Sequence, residues 1–337
     1  MEIAELSVLL VWASATALTI ALAAFAIDLG RRTEARVEAR AGARTPAAVA
    51  AGAGGAGRVA GGSASASPAA GPDVPDVPSS ARRRAAGIAM STTWLGTALL
   101  LAAIVLRGVA AGRTPWANMY EFTLVGSFVA LVVFLVLNLR RDLKFLGAFV
   151  IGLTVLFLVL GVNVFYVAAT GVQPALQNYW LVIHVGVAIT ATGIFTVSFV
   201  TSVLQLLRDS RDTGGTSLQR PGFRWLDGLP TPKTLEGLSF RLNAVAFVLW
   251  TFTIIGGAIW AEDAWGRYWG WDPKEVWSFV IWVIYAAYLH ARTTRGWDGR
   301  RAAWFVVVGY ACVLFNFTGV NLIFNGLHSY AGIETEL

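Results

Sequence analysis

Cysteine, charge and histidine are all scarce in this chain of 337 residues. Cys312 is the only cysteine, which excludes an internal disulfide, a CxxC redox pair and a zinc site built on cysteines. Charged residues make up 14% of the chain, against about a quarter in a typical soluble domain. Because 56% of the residues are hydrophobic, too few charges remain to cover a water-soluble surface. The composition indicates an integral membrane protein.

Eight stretches are apolar and long enough to cross a bilayer as helices, for which about 20 residues are needed. They cover residues 6–27, 88–108, 120–138, 145–167, 180–204, 241–260, 275–291 and 302–324. None shows the sustained alternation of a β-strand, so we expect an all-α fold, a polytopic bundle of about eight transmembrane helices. Glu2 and Glu5 precede the first stretch where a signal peptide would have basic residues, so we do not interpret it as one.

Lysine and arginine are distributed unequally between the two sides of these spans. The segments after spans one, three, five and seven hold 22 of the 26 basic residues, and the other side holds only Arg107, Arg113, Arg267 and Lys274. By the positive-inside rule, both termini lie outside and the basic segments face the cytoplasm. This orientation explains the net charge of +6 without a nucleic-acid partner.

The chain divides into three parts by composition. Residues 1–29 are predicted to form the first transmembrane helix, and 30–87 a disordered cytoplasmic linker rich in Ala, Gly and Arg. Residues 40–80 of this linker contain too few large apolar groups to become ordered. Residues 88–337 form the main membrane domain. Since no soluble domain is large enough for an independent active site, any chemistry lies in the bundle or on its outer face.

Six of the 14 tryptophans fall in one outer segment, residues 260–282. Trp265, Tyr268, Trp269 and Trp271 are separated there by two glycines, which interrupt a regular helix and permit close approach of a flat surface. An interfacial aromatic belt would explain a few of these rings. Six rings in one glycine-containing segment favour a platform for a flat, largely apolar ligand.

Residues 272–275 (Asp-Pro-Lys-Glu) have the pattern of a helix start. Asp272 fits the N-cap position, and the proline after it fits the first helical position. The glutamate fits the third helical position, where its side chain accepts a hydrogen bond from the N-cap backbone in a capping box. A cap is therefore a sufficient explanation of Asp272, whether or not the segment binds a ligand. Arg267 and Lys274 could pair with a ligand's carboxylates. They could equally pair with the acidic residues of the same segment, Glu262, Asp263 and Glu275.

Only three histidines occur, and two of them lie on the outer side. His184 is near the outer end of span five, and His328 follows span eight. His290 ends span seven, about 22 Å from Glu275 at 1.5 Å per residue, so it serves a different site. A lone membrane histidine is more often a satisfied interior polar group than a ligand. Two imidazoles beside an aromatic platform nevertheless suit the axial positions of a haem iron. A zinc site is the alternative, but no third ligand is evident.

Several segments resemble a known family. WGRYWGWDPKEVWSFVIW (265–282) resembles the WWD motif of haem-handling membrane proteins, in the form found in the ResC/CcsA type of cytochrome c biogenesis protein. YWLVIHV (179–185) and NLIFNGLHSY (321–330) resemble the family's two external-histidine motifs. YLHAR (288–292) resembles the histidine motif of the span after WWD, and TPWANMYEF (114–122) the external Pro/Asn/Tyr/Glu segment. The resemblance runs from about residue 90 to the C-terminus.

The resemblance implies a subunit of a system II cytochrome c synthase, a haem lyase of the plasma membrane with an extracytoplasmic active face. Such a subunit acts with a ResB-type membrane partner, and thioredoxin-like thiol reductants are further implied partners. Haem b is brought to the outer face, held over the WWD loop (260–277) and joined by thioether bonds to the CxxCH motif of apocytochrome c. Positioning of haem is the implied catalytic contribution, because the thiols come from the substrate.

The resemblance also assigns residues. By position, His184 and His328 are the external ligands of the haem iron, and His290 belongs to a separate intramembrane haem site whose second ligand comes from the partner. The loop residues expected to contact haem are Trp265, Arg267, Tyr268, Trp269, Trp271, Asp272 and Lys274.

Two other functions remain open. A haem exporter or carrier without ligase activity would need the same ligands. A secondary transporter of an unrelated solute would need a midplane site formed by interrupted helices, commonly with internal repeats, and no repeat is evident. Glu121, at the outer end of span three, could orient a ligand or the nearby backbone, and Cys312 is interpreted as a small apolar residue of span eight.

Overall fold

The computed structural model describes residues 2–52, 80–171, 177–214 and 217–328, and every regular element within them is helical. The helices are α1 (Ile3–Gly52), α2 (Ser80–Ala111), α3 (Met119–Arg140), α4 (Gly147–Val164), α5 (Trp180–Thr213), α6 (Pro232–Trp265), α7 (Pro273–Thr294), α8 (Gly299–Phe317) and α9 (Gly319–Ile323). Short 3-10 segments cover Lys144–Leu146, Ser217–Gln219 and Pro221–Gly228. The predicted all-α class is confirmed.

Seven spans in the described part of the chain are long and apolar enough to cross a membrane, and they coincide with seven of the eight predicted stretches. The remaining stretch, 275–291, is helix α7, whose 22 residues reach about 33 Å at 1.5 Å per residue. Helices α5 and α6 have 34 residues each, so each is longer than the roughly 30 Å hydrocarbon layer of a bilayer. The chain is a multi-span membrane protein.

Helix α1 continues beyond the predicted boundary at residue 29 and ends at Gly52. The first part of the predicted linker is therefore helical, because its Ala, Arg and Glu residues are good helix formers. Helix α2 likewise begins at Ser80, before the predicted residue 88. The rest of the linker prediction, for residues 53–79, lies outside the described residues.

The helices pack as two groups, which meet at α3 and α5 and again where α1 packs on the 3-10 segment Pro221–Gly228. Helices α1 to α4 contact one another, as do α5 to α8, and α3 packs on α5 where the groups meet. Fully buried rings such as Phe134 of α3, Phe195 of α5 and Tyr285 of α7 fill the interior, with Phe195 stacked on Tyr285 at 4.0 Å between ring centroids. This packing brings the ends of α3, α5, α6, α7 and α8 together around one cavity.

A cavity between two imidazoles

One cavity opens where these helix ends meet, and it encloses about 230 Å³. Its wall is mostly apolar and aromatic, and its polar side chains come from α5 and α6 as well as from α7, α8 and α9. The side chains that line it include Trp116, His184, Trp260, Trp265, Tyr268, Trp269, Lys274, Asn316, Asn321 and His328. Residues from 116 to 328 thus contribute to a single space.

His184 lies near the start of α5 and faces α6. Its Nδ1 is 2.9 Å from the backbone carbonyl oxygen of Thr253. A carbonyl oxygen only accepts, so Nδ1 carries the proton and donates. The edge of Trp260 packs against the imidazole at 5.7 Å between ring centroids. In the neutral ring, Nε2 therefore keeps the lone pair that a metal ion requires.

His328 follows α9 and is held by a carboxylate. Its Nδ1 is 2.8 Å from Oδ1 of Asp272, and its ring meets the edge of Trp265 at 4.9 Å. An ionised carboxylate accepts only, so Nδ1 donates here as well and Nε2 is again the available nitrogen. Both outer histidines line the same cavity, as their sequence positions predict.

Asp272 caps α7 and also fixes the segment that carries His328. Its Oδ1 accepts from the backbone N–H of Lys274, and Glu275 returns the bond to the N–H of Asp272, so the predicted capping box is confirmed. Its Oδ2 accepts from the N–H of Leu327 at 2.7 Å. A Cβ on Gly326 would lie 2.4 Å from that oxygen, so only glycine permits this approach.

The charge of Asp272 is stabilised in this position. Burial alone would raise the pKa of Asp272, but the hydrogen bond and charge of His328 and the N–H groups of Lys274 and Leu327 outweigh burial. Together they lower the pKa to about 2. The carboxylate does not line the cavity, so its contact is with His328 and not with the cavity space.

The predicted aromatic residues divide into two sets. Trp265, Tyr268 and Trp269 line the cavity, together with Trp260 one helical turn earlier. Trp271 is 73% exposed and does not line it; its backbone has φ of +60°, which a bulky residue seldom adopts, and its ring meets the edge of Trp269. The predicted platform is thus an aromatic wall from which Trp271 points away.

The two glycines of the loop differ in their surroundings. Gly266 is the left-handed C-cap of α6, with φ of +69°, so it interrupts the helix as predicted, and the space beside it is open. Gly270 is covered by the guanidinium of Arg267, so its surface is occupied by this chain's own side chain. Gly270 therefore offers no open face to a flat ligand.

The two outer cations also differ. Arg267 pairs with Glu275 at 3.2 Å and lies over Trp265, outside the cavity wall. Of the two predicted partners, a ligand carboxylate or an acidic residue of the same segment, the structure therefore shows the second for Arg267. Lys274 lines the cavity, and its Nζ donates to the Asn316 carbonyl at 2.8 Å and to Oδ1 of Asn321 at 2.9 Å. An ammonium has three donors, so one N–H of Lys274 stays available for a ligand in the cavity.

His290 is not part of this cavity. It is exposed on α7, on the same face as Phe279, Val283 and Ala287, which follow the helical spacing of four, four and three residues. Within the described residues the three histidines therefore fall in two places, as the distance along span seven predicts.

A buried ionic cluster supports the cavity wall near Trp116. Glu121 is fully buried; it pairs with Arg107 at 2.9 Å and with Arg113 at 2.6 Å, and accepts from the N–H of Ala117 at 3.0 Å. The two guanidiniums also donate to the carbonyls of Val167, Ala168 and Thr170. The cluster thus ties the α2–α3 loop to the segment after α4.

Sequence reasoning missed several cavity residues. Trp116 donates from its indole to the carbonyl of Leu181, and Asn316 and Asn321 surround Lys274. The external segment TPWANMYEF was a signal for Trp116 and Glu121 alike. Asn321 begins the quoted motif NLIFNGLHSY, whereas Asn316 carries no such signal, because a single amide at the end of an apolar helix is common.

The fold and the cavity define a class: a multi-span helical membrane protein with an aromatic cavity between two imidazoles. No group of three or more His, Cys, Asp or Glu side chains is placed to hold a metal ion in the described part of the chain. Two imidazoles on one cavity, each bonded to the protein through Nδ1, fit the axial positions of a porphyrin-bound metal.

Comparison with known proteins gives the family. Residues 116–328 match the family described as "Cytochrome C assembly protein". Cytochrome c biogenesis protein CcsA of Parasynechococcus marenigrum is 35% identical, over 72% of this chain and 86% of that protein. CcsA of Guillardia theta is 33% identical, over 68% of this chain and 80% of that protein. The chain therefore belongs to the cytochrome c assembly family, among its CcsA/ResC-type members, and acts in cytochrome c maturation.

A solved structure shares the fold. "Cytochrome c Heme Lyase CcmF" superimposes with a TM-score of 0.59 at 17% identity, over 98% of this chain. The chain spans about half the length of that protein, 49%. At this identity the likeness concerns the fold of the helical bundle.

Proposed function

We propose that this protein binds haem in the cavity, with His184 and His328 as the axial ligands of the iron, and presents it for thioether attachment to the CxxCH motif of apocytochrome c. The proposal rests on the hydrogen bonding that the two imidazoles have in common. Each has Nδ1 committed to an acceptor of the protein and Nε2 available, which is the usual arrangement of a metal-binding histidine.

The wall of the cavity fits a porphyrin. Trp260, Trp265 and Trp269 offer apolar surface to the macrocycle, and Lys274 offers a half-buried amino group to one propionate. The enclosed 230 Å³ is smaller than the roughly 300 Å³ at the lower end for small-molecule sites, so the macrocycle would extend past Tyr268, which is 62% exposed. An outward edge is what the reaction needs, because the vinyl groups must meet the cysteines of the substrate.

Thioether attachment requires little acid or base catalysis from this chain. Each substrate thiol adds across a vinyl group: the sulfur bonds to one vinyl carbon and a hydrogen to the other, so no electrons are gained or lost overall. Two imidazoles would keep the iron six-coordinate during this step. The residues of the cavity then act by positioning the porphyrin, which alone can account for large rate gains.

The name of the CcmF relative, a haem lyase, supports a ligase role over a carrier role. We further propose that a ResB-type partner covers the exposed face of α7 and completes a second haem site at His290. An exposed histidine on an apolar helical face is costly in lipid unless a partner contacts it. The cavity would open on the extracytoplasmic side of the plasma membrane, with haem b as the substrate.

Absorption spectra of the purified protein with haem test the proposal. We expect a six-coordinate low-spin spectrum for the wild type, loss of one ligand in His184→Gly or His328→Gly, and recovery of the six-coordinate spectrum with added imidazole. His290→Gly is the matched control and should leave the outer site unchanged. An unchanged spectrum in the double variant of the outer pair would refute the assignment.

A second measurement separates the ligase from the carrier. The protein and its ResB-type partner are mixed with haem and a reduced CxxCH apocytochrome, and covalent haem is followed by denaturing gel and mass spectrometry. Covalent product that depends on His184 and His328 supports the ligase. Binding of haem without covalent product would favour the carrier.

A further inference from the structure

Gly257 of α6 lies directly behind the imidazole of His184. A Cβ on Gly257 would lie 2.7 Å from Cε1, 3.2 Å from Nδ1 and 3.5 Å from Nε2 of that ring. Carbon atoms do not approach this closely, so the ring occupies the space that any other residue at 257 would fill. The imidazole therefore packs on the backbone of α6.

The absence of a side chain at Gly257 also exposes the backbone carbonyl oxygen that accepts the hydrogen bond from His184. Thr253 precedes Gly257 by four residues, so its carbonyl is the one that accepts the N–H of Gly257 within the helix. A carbonyl oxygen has two lone pairs, and the Nδ1–H of His184 uses the second at 2.9 Å. Because no side chain covers this point of the helix, a second donor can reach the carbonyl.

We propose that Gly257 is a positioning residue for haem ligation: it admits the His184 ring to the Thr253 carbonyl and so directs Nε2 into the cavity. This inference rests on the proposed function, in which Nε2 of His184 binds the iron. It concerns a residue outside the WWD loop and outside both external-histidine motifs.

The neighbouring glycine distinguishes this role from ordinary helix packing. A Cβ on Gly256 would lie 3.3 Å from the Trp180 ring, a tight contact that a small shift relieves, and it would not touch His184. Gly256→Ala is thus a matched control, with the same substitution one residue away on the same helix.

The test compares haem binding by Gly257→Ala and Gly256→Ala. We expect Gly257→Ala to lose one axial ligand, seen as a high-spin component in the spectrum, with roughly 10–100-fold weaker haem binding, the usual effect of disturbing the support of a metal ligand. Added imidazole should restore the six-coordinate spectrum. Gly256→Ala should keep the wild-type spectrum. A six-coordinate Gly257→Ala protein with wild-type affinity would overturn the inference.

A double variant shows whether Gly257 acts through His184. In Gly257→Ala/His184→Gly the ring is gone, so haem binding should equal that of His184→Gly alone; a further loss would mean that the effect is independent of the histidine. If Gly257→Ala folds poorly, removal of the ring should restore its yield to the level of His184→Gly, and failure to do so contradicts the inference.

The outcomes for the two proposals are distinct. A wild-type protein that binds no haem through two imidazoles would remove the proposed function. A wild-type protein with two imidazole ligands and an insensitive Gly257 would remove only the positioning role.

Discussion

The acceptors behind the two outer histidines differ in charge. His184 donates to a neutral carbonyl, whereas His328 donates to the carboxylate of Asp272. A carboxylate acceptor makes the other ring nitrogen a stronger donor to a metal. At the scale of single residues, Asp272 therefore combines two tasks: it begins α7 and it strengthens a proposed iron ligand.

Replacement of Asp272 by Asn separates these tasks. Asn is as good an N-cap as Asp, so α7 should persist. The amide carries no charge and cannot accept from both His328 and Leu327, so we expect roughly 10–100-fold weaker haem binding. Haem titration followed by absorbance measures the effect, and the thermal unfolding temperature monitors the cap.

Asp298→Asn is the control for an Asp-to-Asn change away from His328, since Asp298 occupies the N-cap position of α8 without a side-chain cap bond and does not line the cavity. Equal haem affinities of the wild type and Asp272→Asn would show that the charge of the carboxylate does not act on His328.

At the scale of elements, the cavity depends on helix ends held by buried polar groups. The first turn of α3 carries the fully buried Glu121, which neutralises part of the charge of the buried Arg107 and the partly buried Arg113. Side chains of this cluster link α2, the α2–α3 loop and the segment after α4. The wall at Trp116 is thereby fixed by ion pairs that lie outside the cavity itself.

Loss of the Glu121 charge should destabilise the bundle. Glu121→Gln leaves the buried guanidinium of Arg107 and the partly buried guanidinium of Arg113 without a counter-charge, and removal of one partner of a buried pair costs about 3–5 kcal/mol. Unfolding in detergent, followed by circular dichroism, should show a markedly lower transition temperature.

Asp142→Asn provides the comparison, because Asp142 is half exposed and its pairs with Arg32 and Lys144 lie at the surface. Such pairs contribute about 0–1 kcal/mol. Similar transition temperatures for the two variants would contradict the structural role of Glu121.

At the scale of the whole molecule, the fold joins two groups of helices, and the cavity residues all come from 116–328. The matched family segment covers the same residues, so helices α1 and α2 lie outside it. The orientation of the bundle stays a prediction of the charge distribution, and it determines which side the cavity faces.

Labelling in intact cells tests that orientation. In a Cys312→Ala background, a membrane-impermeant thiol reagent should label Asp263→Cys, beside the cavity, and should not label Ser217→Cys, between α5 and α6. Both positions are exposed in the structure, so access depends on the side of the membrane. Permeabilised cells give the total labelling of each variant, and the reverse pattern would place the cavity in the cytoplasm.

The sequence alone determined the helical class, the positions of seven of the eight predicted spans, the cap of α7 and the separation of His290 from the outer pair. Each of these follows from short-range rules: apolar length, local capping patterns and the rise of a helix per residue. The predicted end of the first helix was less accurate, because residues that favour helix continue α1 beyond the apolar stretch from which the end was predicted.

The tertiary structure decided how the site is built. It determined which nitrogen of each histidine is available, that Lys274 faces the cavity while Arg267 pairs with Glu275, and that Trp271 points away. These features depend on contacts such as His184 with Thr253 and Asp272 with His328, which are 69 and 56 residues apart in sequence. Local patterns carry no information on such contacts, because the packing of separate helices creates them.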